Sequence, residues 1–206
     1  MSFEIDVRKR LGDTDIAATF KADGGLTALF GPSGVGKTSI LNMIAGLMRP
    51  DAGSIRVGGQ SLFDDAAGVD TPPEQRRLGY VFQDARLFPH KRVRANLLYG
   101  HKLVPEADRW MSIDEAVDFL GIGHLLDRWP GTLSGGEERR VAIGRALLGG
   151  ARFLLMDEPL SSLDRARREE IMIVIERIRD EMKLPILYVS HDRDEIDRLA
   201  SAVVTL

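Results

Sequence analysis

The sequence predicts an α/β protein: a mainly parallel sheet forms the core, with an antiparallel β flank and an inserted helical subdomain. Three observations predict it. Short β-type runs alternate with helical patterns along much of the chain, the order expected of α/β units. The earliest strand runs lie too close together for helical crossovers, which marks the flank as antiparallel. Between about residues 91 and 149 no convincing strand occurs, so this stretch reads as a helical insertion into a core of about 1–90 and 150–206.

In chain order, β-type runs cover Phe3–Val7, Asp15–Phe20 and Leu26–Phe30, and a helical pattern follows over Lys37–Leu47. Ser54–Val57 is a strand run ended by the turn Gly58-Gly59, and Thr71-Pro72-Pro73 turns the chain before Leu78–Phe82. Inside the insertion, Ile113, Val117 and Leu120 recur at helical spacing, as do Ile143 and Leu147 within the helix Glu137–Leu148. Trp129-Pro130-Gly131 is a turn just ahead of that helix. The strand run Phe153–Met156, the helix Arg165–Met182 and the runs Ile186–Ser190 and Ala202–Leu206 complete the core. There is no internal repeat and no low-complexity tail.

A chain of 206 residues is one large domain, or one domain with an inserted lobe. With 44% hydrophobic and 29% charged residues it can bury a substantial core, which excludes disordered, collagenous and coiled-coil classes. A net charge of −3 supplies no overall positive field, so neither nucleic acid nor an anionic membrane is an expected partner. No apolar run approaches the roughly 20 residues of a membrane span. The opening Met1-Ser2-Phe3-Glu4-Ile5-Asp6 lacks the basic-then-apolar order of a secretory signal, which makes a cytoplasmic location the expectation. The absence of cysteine removes disulfides, thiolate metal sites and a cysteine nucleophile.

Directly after the run Leu26–Phe30 stands Gly31-Pro32-Ser33-Gly34-Val35-Gly36-Lys37-Thr38, followed by a helical pattern from Ser39. This is the phosphate loop G-x-x-x-x-G-K-[ST] in the context it requires, and it points to a P-loop NTPase core. Glycines let successive backbone N–H groups face a β-phosphate at a helix N-terminus, where the macrodipole favours an anion. Lys37 is placed to reach the β- and γ-phosphates and Thr38 to offer its hydroxyl to Mg²⁺. Further on, Phe153-Leu154-Leu155-Met156-Asp157-Glu158-Pro159 sets two carboxylates at the end of a buried strand, where ligands of open α/β sheets gather. Asp157 is expected to hold Mg²⁺ through water, and Glu158 to orient or deprotonate the attacking water. A third element, Leu133-Ser134-Gly135-Gly136-Glu137-Glu138-Arg139-Arg140, opens a helix; Ser134 with the N–H groups of Gly135 and Gly136 makes a second anion site there, or an ordinary turn and N-cap.

With these motifs in this order, the whole chain resembles the ATP-binding subunits of ABC transporters. The resemblance makes Gly31–Thr38 the phosphate loop, Gln83 the Q-loop glutamine, Leu133–Glu137 the signature, Phe153–Glu158 Walker B, Ser161–Asp164 the D-loop and His191 the switch histidine. It implies a homodimer packed head-to-tail, each ATP lying between one chain's loop (Gly31 through Ser39) and the other's Ser134, Gly135, Gly136 and Glu137. It further implies that Gln83 senses Mg²⁺ and the attacking water, that Asp164 contacts the opposite subunit and that His191 bonds the γ-phosphate. Catalysis is then expected of Glu158, His191 and Gln83, and Mg²⁺ binding of Thr38, Gln83 and Asp157.

Two positions depart from the family pattern. Glu137 stands where glutamine is usual, adding negative charge near a helix N-terminus. Between Arg8 and Asp15 there is no aromatic residue to stack on adenine; Leu11 is the available apolar contact, which leaves the choice of ATP over GTP open.

Gly79–His90 and Val93–Gly100, together with Leu125–Arg128, Gly144–Leu147 and Leu187–His191, are most similar to the ATPase subunit of molybdate importers. Tungstate, another importer or exporter, and a DNA-clamping ATPase remain alternatives; the last usually needs long heptad segments between phosphate loop and signature. The resemblance implies two transmembrane permease subunits as partners, a periplasmic oxyanion-binding protein acting indirectly, and a place at the cytoplasmic face of the inner membrane. The apolar cluster Leu87-Phe88-Pro89 after Gln83 is expected to dock the permease or to fold inward. Such subunits usually continue into a small β-rich regulatory domain; this sequence stops at Leu206, so regulation by bound oxyanion is not expected.

Overall fold

The structure, a computed structural model, describes residues 2–206. It divides into two compact units, Met1–Arg76 with Lys183–Leu206, and Arg77–Met182.

The first unit begins with strands β1 (Phe3–Leu11) and β2 (Thr14–Ala22), paired antiparallel from Phe3↔Ala22 to Leu11↔Thr14. Both run further than the sequence reading, because the pairing continues to a tight turn at Gly12, whose φ is 58°. Ile16, Ala18, Phe20 and Ala22 point inward while the residues between them face solvent, the period of two that fixes register. β4 (Ala52–Val57) joins the other edge of β1, and β5 (Gln60–Asp64) and β6 (Val69–Asp70) extend the sheet. The sequence reading missed β5 although it marked its turn: Gly58 and Gly59 have φ 56° and 80°, the doubly left-handed geometry of a two-residue hairpin.

β3 (Leu26–Phe30) pairs parallel with β9 (Ile186–Val189) on one side and β10 (Ala202–Thr205) on the other. Leu26, Ala28 and Leu29 are wholly buried and Thr27 nearly so, as expected of a strand covered on both faces. α1 (Lys37–Ala45) follows, and it stops two residues short of the expected Leu47 because Gly46 turns left-handed at φ 78°. The N–H groups of Leu47 and Met48 then fold back onto the Asn42 carbonyl. The helix end is closed by Arg76, 2% exposed, whose Nη1 donates to the carbonyls of Met43 and Ile44, both at 2.9 Å. Its Nε reaches the Thr71 carbonyl at 2.7 Å and its Nη2 reaches Asp70 at 3.2 Å. Burial pulls the Arg76 pKa down and Asp70 opposes the shift. A short helix that the sequence reading missed, α6 (Arg193–Leu199), links β9 to β10.

In the second unit β7 (Leu78–Val81) and β8 (Phe153–Asp157) pair in parallel from Leu78↔Phe153 to Val81↔Met156. Between them lie α2 (Val93–His101), α3 (Ile113–Leu120) and α4 (Gly135–Leu148), so the segment expected to be a helical subdomain holds three α-helices and short turns. α4 is buried along most of its length. Gly144 lets α2 and α3 close on it, since a Cβ there would lie 2.9 Å from Leu97 and 2.7 Å from Leu120. α5 (Arg165–Arg177) continues into a wider π-helical turn over Ile178–Met182, so the helix expected over Arg165–Met182 changes pitch in its last five residues.

Candidate functional site

The candidate residues divide between the units: Leu11, the loop Gly31–Ser39 and His191 lie in the first, and Gln83, Ser134–Glu137, Asp157, Glu158 and Asp164 in the second.

The loop leaves the buried strand β3 and enters α1 through two left-handed glycines, Gly34 at φ 84° and Gly36 at φ 104°. Gly36 packs on β2 so closely that a Cβ would come within 2.8 Å of Ile16. Lys37 is 5% exposed, and its Nζ donates to the carbonyls of Gly31 at 2.7 Å and Pro32 at 2.9 Å. Its ammonium is therefore folded back across the mouth of the loop, where Thr38 and Ser39 complete the first turn of α1. A glycine-rich turn, a helix N-terminus and a lysine are a donor set suited to a polyphosphate. Leu11, 39% exposed, ends β1 beside the Gly12 turn. His191 stands exposed on the turn between β9 and α6.

The parallel register in the second unit brings Gln83 and the two carboxylates to one edge, two residues beyond Val81 on β7 and at the end of β8. Asp157 is 5% exposed, and its charge adds to burial in pushing the Tyr80 hydroxyl pKa up, with Arg86 opposing. Glu158 takes a left-handed backbone, φ 45°, unusual for a residue with a side chain and found where a turn is over-determined by its surroundings.

Two arginines of α4 hold the segment after β7, a role the sequence reading did not assign. Arg139, 5% exposed, donates to the carbonyls of Phe82 at 2.6 Å and Gln83 at 2.7 Å. Arg145 donates to those of Arg86 at 2.6 Å and Ala85 at 3.0 Å, and burial lowers its pKa. Ala85 and Arg86 have φ of 34° and 47°, so the Arg145 fork falls on the two residues of this segment whose backbone is left-handed. Beyond it, Phe88 packs on Tyr99 with ring centroids 4.6 Å apart, and the buried Asn96 accepts from its N–H at 2.8 Å. Within the Leu87–Pro89 cluster Phe88 thus packs half-buried on α2, while Pro89 is exposed.

Ser134 caps α4 in a capping box: its Oγ accepts from the N–H of Glu137 at 3.4 Å, and Glu137 Oε2 accepts from the N–H of Ser134 at 2.7 Å. Glutamate at 137 is accommodated because Arg128 donates to its other oxygen at 3.3 Å, with His124 at 3.8 Å. The Ser134 N–H leads these contacts in holding the Glu137 carboxyl below its ordinary pKa. A cleft of about 260 Å³ beside the cap is lined by His124, Ser134, Gly136, Glu137, Arg140 and Arg167 among others. Asp164 caps α5 by accepting from the Arg167 N–H at 2.9 Å.

A model of the ABC transporter family matches residues 15–161. The molybdenum import ATP-binding protein ModC of Mesorhizobium japonicum is 58% identical over 206 residues, covering 100% of this chain and 56% of its own length. That of Paramagnetospirillum magneticum is 55% identical, covering 98% of this chain and 56% of its own length, so the chain spans a little over half the length of these relatives. Among solved structures, a part of the ABC transporter complex cbiONQ from Clostridium perfringens superposes with a TM-score of 0.81 at 26% identity, over 98% of this chain and 83% of that one. A dimeric ATP-binding cassette bound to ADP and Pi gives 0.79 at 24% identity, over 100% and 93%, a likeness of fold.

Proposed function

Because the chain belongs to the ABC transporter family, we propose that it is the ATP-hydrolysing subunit of an importer for molybdate or tungstate, driven by nucleotide-dependent closure of a head-to-tail dimer. The observation that carries the reading is the Gly31–Thr38 loop, with two left-handed glycines and a lysine folded across its mouth. The names of the relatives at 55% and 58% identity, molybdenum import ATP-binding proteins, support molybdenum as the element carried.

In this reading ATP binds with its phosphates on the loop N–H groups, and Lys37 swings from the loop carbonyls to the β- and γ-phosphates. Leu11 lies against the base. Thr38, Asp157 and Gln83 would supply the hard oxygen donors that suit Mg²⁺, whose charge would offset that of the phosphates. Gln83 orients the attacking water, and Glu158 takes its proton as the water oxygen bonds to the γ-phosphorus and the bond to the bridging oxygen breaks, releasing ADP and phosphate. His191 donates to the γ-phosphate. Ser134, Gly135 and Gly136 of the second subunit close over the same phosphate beside Glu137, and Asp164 contacts the facing chain. A two-fold dimer then holds two equivalent sites.

Two permease subunits would anchor this assembly at the cytoplasmic face of the membrane, with a periplasmic oxyanion-binding protein delivering cargo to them. Among the described residues no helix is long and apolar enough to cross a membrane. A groove of about 360 Å³ lined by Lys91, Ala95, Leu98, Tyr99, Lys102 and Leu103 offers the permease an apolar seat, with Leu103 77% exposed.

The test is complementation. Lys37→Ala and Ser134→Arg chains should each be inactive alone, whereas their mixture regains Mg-ATPase activity through heterodimers with one intact composite site. Hydrolysis by a monomer, independent of protein concentration, would refute the dimer mechanism.

A further inference from the structure

Beneath the turn that carries His191 lies a buried carboxylate with no part in the chemistry above. Glu195, 5% exposed, sits in the first turn of α6, and two hydroxyl donors converge on one of its oxygens: Tyr188 Oη at 2.8 Å and Ser190 Oγ at 2.7 Å on Oε2. Tyr188 is wholly buried in β9 and Ser190 is 3% exposed. A carboxyl taken this far from water is costly unless donors meet it. The Ser190 Oγ also accepts from the Asp192 N–H at 3.0 Å, so the same hydroxyl ties the residues on either side of His191. Asp192 in turn accepts from the N–H groups of Asp194 at 3.0 Å and Glu195 at 3.4 Å, which closes the circuit through α6. Asp192 and Glu195 have the spacing of a capping box, but here the reciprocal bond to Asp192 passes through Ser190.

We propose that Glu195 is a positioning residue: through Ser190 it fixes the Ser190–Asp192 turn and so the place of the His191 imidazole. The inference rests on the reading of His191 as a ligand of the γ-phosphate, since that reading makes its position matter. The Tyr188 bond anchors Glu195 to the sheet, and the Ser190 bond transmits the position. Because both hydroxyls meet a single oxygen, the carbonyl oxygen of glutamine can receive both, as neutral rather than charge-assisted bonds.

The experiment uses the purified chain, with Mg-ATP turnover and the ring-proton resonances of its four histidines, His191 being assigned by its loss in His191→Ala. Glu195→Ala should lower kcat about tenfold with KM for ATP nearly unchanged, the scale of a small misplacement of a catalytic group. It should also move or broaden the His191 resonance. Glu195→Gln should restore both. Ser190→Ala should reproduce the alanine effect, and because it removes only one hydroxyl it serves should Glu195→Ala not fold; Tyr188→Phe should lower the melting temperature more than kcat. On a His191→Ala background, Glu195→Ala should cost no further turnover. An equal loss on that background, failure of glutamine to rescue, or an unmoved His191 resonance would overturn the proposal. Full turnover in His191→Ala would instead strike down the reading of His191, and the proposal with it. A wild-type chain that hydrolyses no ATP would refute the proposed function, while the resonance still decides whether Glu195 positions His191.

Discussion

Arg139 of α4 donates from Nη2 to the backbone carbonyl of Gln83 at 2.7 Å, so the glutamine proposed to orient water is fastened to the helix that Ser134 caps. The second prong of the fork takes the Phe82 carbonyl. A lysine ammonium lacks the planar fork that spans both carbonyls. Arg139→Lys should lower unfolding stability by about 1 kcal/mol, the net scale of a lost hydrogen bond at a partly buried site. Denaturant titration should register that loss, and turnover should fall while nucleotide affinity holds. Unchanged stability and turnover would show the fork to be dispensable.

Glu158→Gln should retain Mg-ATP and accumulate as a nucleotide-bound dimer while hydrolysis falls by about 10²–10⁴, the range for loss of a general base. Size-exclusion chromatography with and without ATP, beside a phosphate-release assay, separates the two effects. Normal phosphate release would remove Glu158 from the base position.

The Glu137 carboxyl is held below its ordinary value of 4.5 by the Ser134 N–H first, with further help from the Ser134 hydroxyl, Arg128 and His124. A depressed carboxyl contributes stability that is present above the unfolded value and is lost as pH falls through the folded one. The chain should therefore lose this contribution on acidification below about pH 4.5. Glu137→Gln should flatten that part of the stability profile in thermal melts taken between neutral and acid pH. A variant profile parallel to the wild type would count against the linkage.

Arg76→Met should destabilise the first unit, because the carbonyls of Met43, Ile44 and Thr71 lose a buried donor. The expected loss is about 2–4 kcal/mol. Chemical unfolding measures it directly, and a loss below about 0.5 kcal/mol, the scale of an ordinary surface substitution, would mean that other groups replace the arginine.

For the permease seat, Leu103→Asp is the cleaner probe. Leu103 is 77% exposed, whereas Phe88 packs on Tyr99 and its N–H is bound by Asn96. Leu103→Asp should leave the isolated subunit's melting temperature and ATPase unchanged and abolish co-purification with the permease. Phe88→Asp should also lower the melting temperature. Intact assembly of Leu103→Asp would exclude this groove as the seat.

The phosphate loop was legible because its determinants are local: a strand run, glycines at Gly34 and Gly36, a lysine and a helix follow one another without interruption. Asp157 and Glu158 were legible for the same reason, as they end a continuous apolar run. Elsewhere a local signal was present and incompletely read. The Gly58-Gly59 turn implied the partner strand β5, and the Asp192–Glu195 spacing implied the start of α6.

The sequence by itself therefore determined the α/β class, the phosphate loop and the family to which the chain belongs. Tertiary structure alone decided what holds these parts still. Arg139 and Arg145 meet carbonyls 56 to 60 residues away, and Arg76 meets two of its carbonyls 32 and 33 residues away. A backbone carbonyl is the same group in every residue, so no residue type marks in advance which carbonyls a distant guanidinium will reach. Likewise the convergence of Tyr188 and Ser190 on one oxygen of Glu195 exists only once β9 and α6 have packed, because burial makes a hydroxyl and a carboxylate seek each other rather than water.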